Sequence, residues 1–109
     1  MYSILHRLMP KILVLYNPPT NSAAFDRYYH DTHIPLARKI ARMRSYTIST
    51  SPPTVLAGNP VHLVAELTFD SMEDLGIALA SPEGQATAAD LVNFADGGAT
   101  ILIFDASNV

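Results

Sequence analysis

The residues best suited to chemistry in this chain crowd into one stretch, Phe25-Asp26-Arg27-Tyr28-Tyr29-His30-Asp31-Thr32-His33-Ile34-Pro35-Leu36. An imidazole titrates near neutral pH and moves protons without a cofactor, so a histidine here suits isomerisation, lactone chemistry or decarboxylation. Tyr29 and His33 are four residues apart and share a face on any helix that persists between them. His33 sits at the edge of that helix's apolar stripe, beside a proline, where a side chain escapes regular packing and looks into a helix-sheet cleft. It is the candidate catalytic acid or base. The plainer reading is that its ring bonds a backbone carbonyl and steadies a kink. Tyr29 reads as a core aromatic whose hydroxyl needs a partner, and as a substrate-binding group if a cleft opens beside it. His30 and His33 have a spacing that a metal can use, but a third ligand is not legible, so no metal is expected.

A second group lies further on. On a strand over Val61 to Phe69, His62, Val64, Glu66 and Thr68 project to one face and Leu63, Ala65, Leu67 and Phe69 to the other. A glutamate in mid-strand is either an acid or base in a cavity or half of a cross-strand or cross-dimer ion pair. Glu66, His62 at the mouth of the strand, and Tyr16 at the end of the first strand join Tyr29 as candidate substrate-binding residues. The sequence carries no phosphate-binding glycine loop, nucleophile elbow or zinc signature.

The elements that must position these residues are readable in order. Lys11 to Tyr16 is rich in β-formers and is stopped by Asn17-Pro18-Pro19. Thr20, Asn21 and Ser22 offer caps for a helix whose apolar side is Phe25, Tyr29, Leu36 and Ile40. Pro35 lacks a backbone donor and disfavours helical geometry at Ile34, so this helix is expected to break near Thr32-His33-Ile34. Tyr46 to Ser51 and Val61 to Phe69 form a long hairpin through Pro52, Pro53, Gly58 and Pro60. Ser71 caps a helix with Glu73 and Asp74 in its first turn. Ser81-Pro82 restarts that helix, Gly97-Gly98 stops it, and Thr100 to Phe104 is the last strand. The order is β-α-β-β-α-β, the split βαβ or ferredoxin-like plan of the α+β class: a four-stranded antiparallel sheet with both helices on one face.

Such a sheet should turn polar on its uncovered face, and this one does not. Ile12 and Val14 oppose Leu13 and Leu15 across strand one, and Ile101 and Ile103 oppose Leu102 and Phe104 across strand four. Both faces call for burial, and a face-to-face homodimer is the simplest cover. The composition agrees: only 16% of the 109 residues are charged, against roughly 25% in a typical soluble domain. The length suits one domain, read as residues 11–109 after an N-terminal extension of residues 1–10. A net charge of −3 without a basic stripe argues against nucleic acid. There is no cysteine, which fits a reducing cytoplasm. The opening MYSILHRLMP lacks a secretory apolar core, and no apolar run has the length of a membrane span.

Taken together, KILVLYNPP, FDRYYHDTHIPLARKI and HLVAELTFDSMEDLGIALASPEGQ resemble the EthD family, over roughly Lys11 to Asp105. The resemblance implies a dimeric α+β barrel. It also implies an association with ethyl tert-butyl ether degradation beside an oxygenase system, rather than a stated reaction. Its wider group includes monooxygenases, haem-degrading enzymes and muconolactone isomerases, which work in a cleft between helices and sheet. By that implication a small apolar or aromatic compound sits near His33 and Tyr29. The function expected is a small cofactor-independent catabolic enzyme, or an accessory to one. The alternatives are a ligand-holding protein without catalysis and a haem-dependent oxygenase with His33 or His62 as axial ligand. One departure stands out: Ala41-Arg42 occupies the place where the family often has a Pro-Gly turn.

Overall fold

A computed structural model describes residues 9–109. Strand β1 (Met9–Tyr16) lies inside a four-stranded sheet, paired antiparallel on one side with β3 (Leu63–Phe69) and on the other with β4 (Ala99–Ala106). Strand β2 (Met43–Ile48) completes the order β2-β3-β1-β4. The ferredoxin-like α+β arrangement is therefore present. Strand boundaries move: β3 starts at Leu63 rather than Val61, and β4 runs from Ala99 to Ala106 rather than Thr100 to Phe104. Met9 and Pro10 pair with Ala106 and Asp105, so the strand takes the last two residues of the expected extension, and the rest of that extension lies outside the described residues. The second strand begins at Met43 rather than Tyr46 and ends at Ile48, because the pairing with β3 starts at Met43↔Phe69 and continues after a register shift before Ser45.

All helices lie over one face. Ile12, Val14 and Tyr16 of β1 share that face with Leu63, Ala65 and Leu67 of β3, and all six are buried. The first helical region has three parts: α1 (Ser22–Tyr28), a π-helical turn (Tyr29–His33) and α2 (Ile34–Ala37). Asn21 caps α1, its side chain accepting from the Ala24 N–H at 3.0 Å. The interruption expected at Pro35 is real but takes a different form. The chain does not break; it widens one turn upstream, with the Ile34 N–H reaching back to the Tyr29 carbonyl, so Pro35 enters the next helix near its start, where a missing donor costs least. The widening has a geometric consequence. A 3.6-residue turn carries residue i+4 about 40° past residue i, so burial at four-residue spacing drifts off any regular helix. The wider turn takes back that drift, and Phe25, Tyr29, His33 and Ala37 are all buried against the sheet.

The second helical region starts at the Ser71 cap with α3 (Met72–Ala80), then turns sharply into α4 (Pro82–Ala89) and a 3-10 turn over Asp90–Asn93. Ser81 makes the elbow: its hydroxyl donates to the Ala78 carbonyl at 2.7 Å and accepts from the Gly84 N–H at 3.0 Å. A Cβ on Gly84 would lie 2.0 Å from the Ala78 carbonyl oxygen, so α3 and α4 meet only because this position has no side chain. The helical region ends at Asn93, short of the expected Gly97-Gly98 stop, and the left-handed Gly98 instead leads the chain into β4.

Arg42 is the only non-glycine with positive φ among the described residues, at 68°. It stands where the family resemblance calls for glycine, and its guanidinium pairs with Asp74 at 3.0 Å, half exposed. Two stability outcomes follow, both read from urea denaturation midpoints. Gly84→Ala should lower stability by about 2 kcal/mol or more, since backbone must shift to admit a methyl group. Arg42→Gly should leave stability unchanged or raise it by up to ~1 kcal/mol, because relief of the left-handed penalty offsets a weak surface ion pair and the extra freedom of the unfolded chain.

Candidate active site

An aromatic cluster under α1 builds one wall of the site. Phe25 stacks on Tyr29 at a ring separation of 5.8 Å, Tyr16 meets Tyr29 edge-on at 5.6 Å, and Phe94 touches both Tyr16 and His33, the latter at 4.7 Å. Each buried ring removes roughly 150–250 Å² from water, so the cluster is a rigid mount as well as core. Beside it, between the helices and the sheet, is a cavity of about 90 Å³. Ile12, Val14, Ala65, Leu67 and Phe69 form its floor, and Ala37, Ile40 and Leu91 its roof. Tyr16, Tyr29, Tyr46 and His33 are the chemically active groups in a lining that is otherwise apolar apart from Thr87. The exposed lining residues Leu79, Ala88 and Ile101 mark the side on which the cavity opens.

His33 is 3% exposed. Its Nδ1 lies 2.9 Å from Oδ2 of Asp90, a carboxylate 57 residues further along the chain. The other Asp90 oxygen accepts from the Tyr28 hydroxyl at 2.7 Å and from the Asn93 amide at 2.9 Å. Burial opposes ionisation of Asp90, but the hydrogen bonds from Asn93, Tyr28 and His33 outweigh it and hold the carboxyl below its ordinary range. An ionised carboxylate only accepts, so Nδ1 of His33 carries the hydrogen and Nε2 of the neutral ring carries a lone pair. Burial also lowers the pKa of His33, against the opposing pull of Asp90. The result is a neutral imidazole, fixed in tautomer, that lines the cavity.

In the same lining, the hydroxyls of Tyr29 and Tyr46 lie 2.6 Å apart. Burial raises the pKa of Tyr16, Tyr29 and Tyr46 alike, so all three remain protonated phenols at neutral pH. Tyr29 also packs on His33, with ring centroids 5.2 Å apart.

The expected site residues divide into two groups. His33, Tyr29 and Tyr16 come together in the cavity. Glu66 does not: in the register Leu13↔Glu66 it lies on the sheet face away from the helices, where it pairs with Lys11 at 3.2 Å, so the ion-pair reading of this residue is the one realised. His62 is also elsewhere. It precedes β3 rather than sitting in it, its N–H donates to the Tyr16 carbonyl, and its ring packs edge-on against Phe25 with Nε2 2.7 Å from Asp26. His30 stays on the outside, with Nδ1 2.9 Å from the Asp26 carbonyl, and the described residues contain no cluster of three metal-ligating side chains. Of the two histidines considered as haem ligands, His62 has its Nε2 engaged by Asp26, and the cavity that His33 lines, about 90 Å³, is smaller than a porphyrin.

Sequence reading did not single out Asp90, Tyr46, Tyr28 or Asn93. One signal for Asp90 was present: it caps the C-terminus of α4, the negative end of a helix, where an acidic side chain is unfavourable unless donors face it. Nothing local marks Tyr46, whose partner is set by sheet pairing.

A buried His-Asp pair beside a helix-sheet cavity, on a ferredoxin-like frame, defines an α+β pocket protein. Residues 17–98 match the EthD domain model. The chain belongs to the EthD family. It is 40% identical over 103 residues to an uncharacterized 11.0 kDa protein in the thcB-thcC intergenic region of Rhodococcus erythropolis, an alignment covering 93% of this chain and 98% of that one. Among solved structures, it is similar to an EthD family protein from Bacillus halodurans, at 32% identity and a TM-score of 0.79, over 88% of this chain and 96% of the other. The fold is also that of a protein of Thermobifida fusca described as a dimeric ferredoxin-like protein of unknown function. There the identity is 12% and the TM-score 0.67, over 91% of this chain and 92% of the other.

The depressed pKa of His33 sets a pH dependence of stability. The unfolded chain binds a proton at His33 near pH 6.5 and the folded one only at lower pH, so His33 contributes its full stability above about 6.5 and loses it as pH falls from there towards the folded value. Urea midpoints measured between pH 8 and pH 5 should therefore fall on the acid side in the wild type. The fall should be shallower in His33→Gln, which keeps a donor for Asp90 but does not titrate.

Proposed function

We propose that this EthD family protein acts on a small, largely apolar organic molecule held in the helix-sheet cavity, with His33 as general acid and base and Asp90 as its positioning residue. The observation that carries the reading is the Asp90-His33 bond. It uses Nδ1 and leaves Nε2 as a base in a lining that, Thr87 apart, is otherwise hydrocarbon and phenol. Tyr29 and Tyr16 are the substrate-binding residues on this reading, joined by Tyr46. Such a site needs no cofactor to move a proton, which suits a step in the catabolism of apolar compounds, ethers and their breakdown products among them. A protein that only holds its ligand would have less use for a carboxylate fixed by three donors behind a buried imidazole.

The working unit of the proposal is a homodimer. On β4, Ile101, Leu102, Ile103 and Phe104 are 48%, 44%, 47% and 39% exposed, although neighbouring residues project to opposite faces of the sheet. Apolar surface of this kind is worth roughly 25 cal/mol per Å² once covered, and a second copy supplies a matching apolar face. No helix among the described residues is long and apolar enough to cross a membrane.

Two measurements test the proposal. Light scattering at micromolar concentration should give a dimer, and a monodisperse monomer would refute that part. Turnover should be sought with a panel of small ketones, esters, lactones and ethers. Any activity found should fall by roughly 10²-fold or more in both His33→Gln and Asp90→Asn, the size of a lost general base, with ligand affinity changed much less. Full activity in His33→Gln would sink the catalytic assignment.

A further inference from the structure

The donor count in the tyrosine cluster goes beyond a generic acid-base site. Tyr16, Tyr29 and Tyr46 each carry one hydroxyl hydrogen, and all three line the cavity with His33. The 2.6 Å contact between Tyr29 and Tyr46 uses one hydrogen. Even with Tyr16 also bonded to Tyr29, a chain of three hydroxyls has two internal bonds and three hydrogens, so one hydrogen always remains to be donated. The remaining lining is apolar, apart from Thr87 at the α4 side. In a cavity of about 90 Å³ lined by both His33 and the phenols, a ligand of a few heavy atoms is within reach of both.

From this arrangement we infer that the site takes a small carbonyl compound with a hydrogen on the carbon next to the carbonyl, and that the tyrosine cluster receives the enolate oxygen. The inference rests on the reading of His33 as a base. Nε2 of His33 removes the proton from the α-carbon, and the C–H electron pair becomes the new C=C bond. The carbonyl π pair moves to oxygen, which accepts the free phenol hydrogen. His33 is then an imidazolium paired with Asp90. After trading its Nε2 hydrogen with solvent it delivers one to the same carbon, giving exchange, and by delivering a proton to a conjugated carbon it gives an isomer. The step needs no oxidant, reductant or metal. Hydrogen-bonded phenols in a water-poor wall are suited to it, since donors held in place for a developing oxyanion act most strongly where water is excluded. An alcohol or ether of the same shape places no new charge on the cluster and gains nothing from it.

The experiment uses cyclopentanone as the carbonyl probe and methylenecyclopentane as the isostere that lacks oxygen. Deuterium uptake at the α-carbons of cyclopentanone in D2O, followed by NMR, should be faster with the full-length protein than with an equal concentration of free imidazole and than with His33→Gln, by about tenfold or more. Tyr16→Phe/Tyr29→Phe/Tyr46→Phe, which removes every phenol hydrogen of the cluster, should lower that rate by roughly 10²-fold. Exchange by the wild type no faster than by free imidazole overturns the inference and requires no variant to fold. Exchange by the triple variant at the wild-type rate overturns it as well. If methylenecyclopentane binds in the cavity but cyclopentanone is not exchanged, the apolar ligand site stands and the enolate falls. If neither probe binds, both the ligand site and the enolate are lost.

Discussion

The π-helical turn over Tyr29–His33 is the constraint on which the site depends. Packing against a sheet rewards a helix for keeping one face inward, and this helix carries its inward residues at intervals of four. A regular α-helix would rotate the later ones out of the interface. Widening one turn keeps Phe25, Tyr29, His33 and Ala37 inside and brings Pro35 to a position where its missing N–H does little harm. The same turn that accommodates a proline therefore delivers an imidazole to the core.

An imidazole brought there must be satisfied, and that requirement explains the second helical region. The elbow at Ser81 and Gly84 lets α4 run back from α3 so that Asp90 emerges beside His33. A carboxylate at the C-terminal end of a helix meets an unfavourable dipole. Three donors, from Tyr28, Asn93 and His33, overcome both that and the cost of burial. Breaking the network would leave a buried charge unpaired, which is far more costly than the net gain of forming it. The pair thus ties the first helical region to the last in the same act that fixes the tautomer of His33.

Outside the pocket, the sheet explains the low charge content. β4 is an edge strand with exposed apolar residues on both faces, and β1 presents Leu13 and Leu15 to the uncovered side. The Lys11-Glu66 pair with Thr68 puts a small polar island on that side. Such an island directs register when two apolar faces meet, because an ion pair left without a polar neighbour is penalised.

Alternation along Lys11 to Tyr16 and along Leu63 to Phe69 was enough to place two inner strands and to assign their residues to faces. The Asn21, Ser71 and Ser81 caps and Ser81-Pro82 were enough to start the helices, since these signals act within a few residues. The apolar character of both faces of strand four was legible for the same reason. Local rules stop there. Whether Glu66 meets a cavity or a lysine depends on which face the helices cover. His62 was displaced from its expected place by the true start of β3 and by the ring of Phe25. The start of β2 followed its pairing with Phe69 rather than its own β propensity. Asp90 reaches His33 across 57 residues and Tyr46 reaches Tyr29 across the sheet-helix interface, contacts that no spacing encodes. By itself the sequence determined the frame and singled out His33, because periodicity and capping are short-range. Tertiary structure alone decided that histidine's partner and the hydroxyls that share its cavity, because packing chooses which distant polar groups must satisfy one another once water is gone.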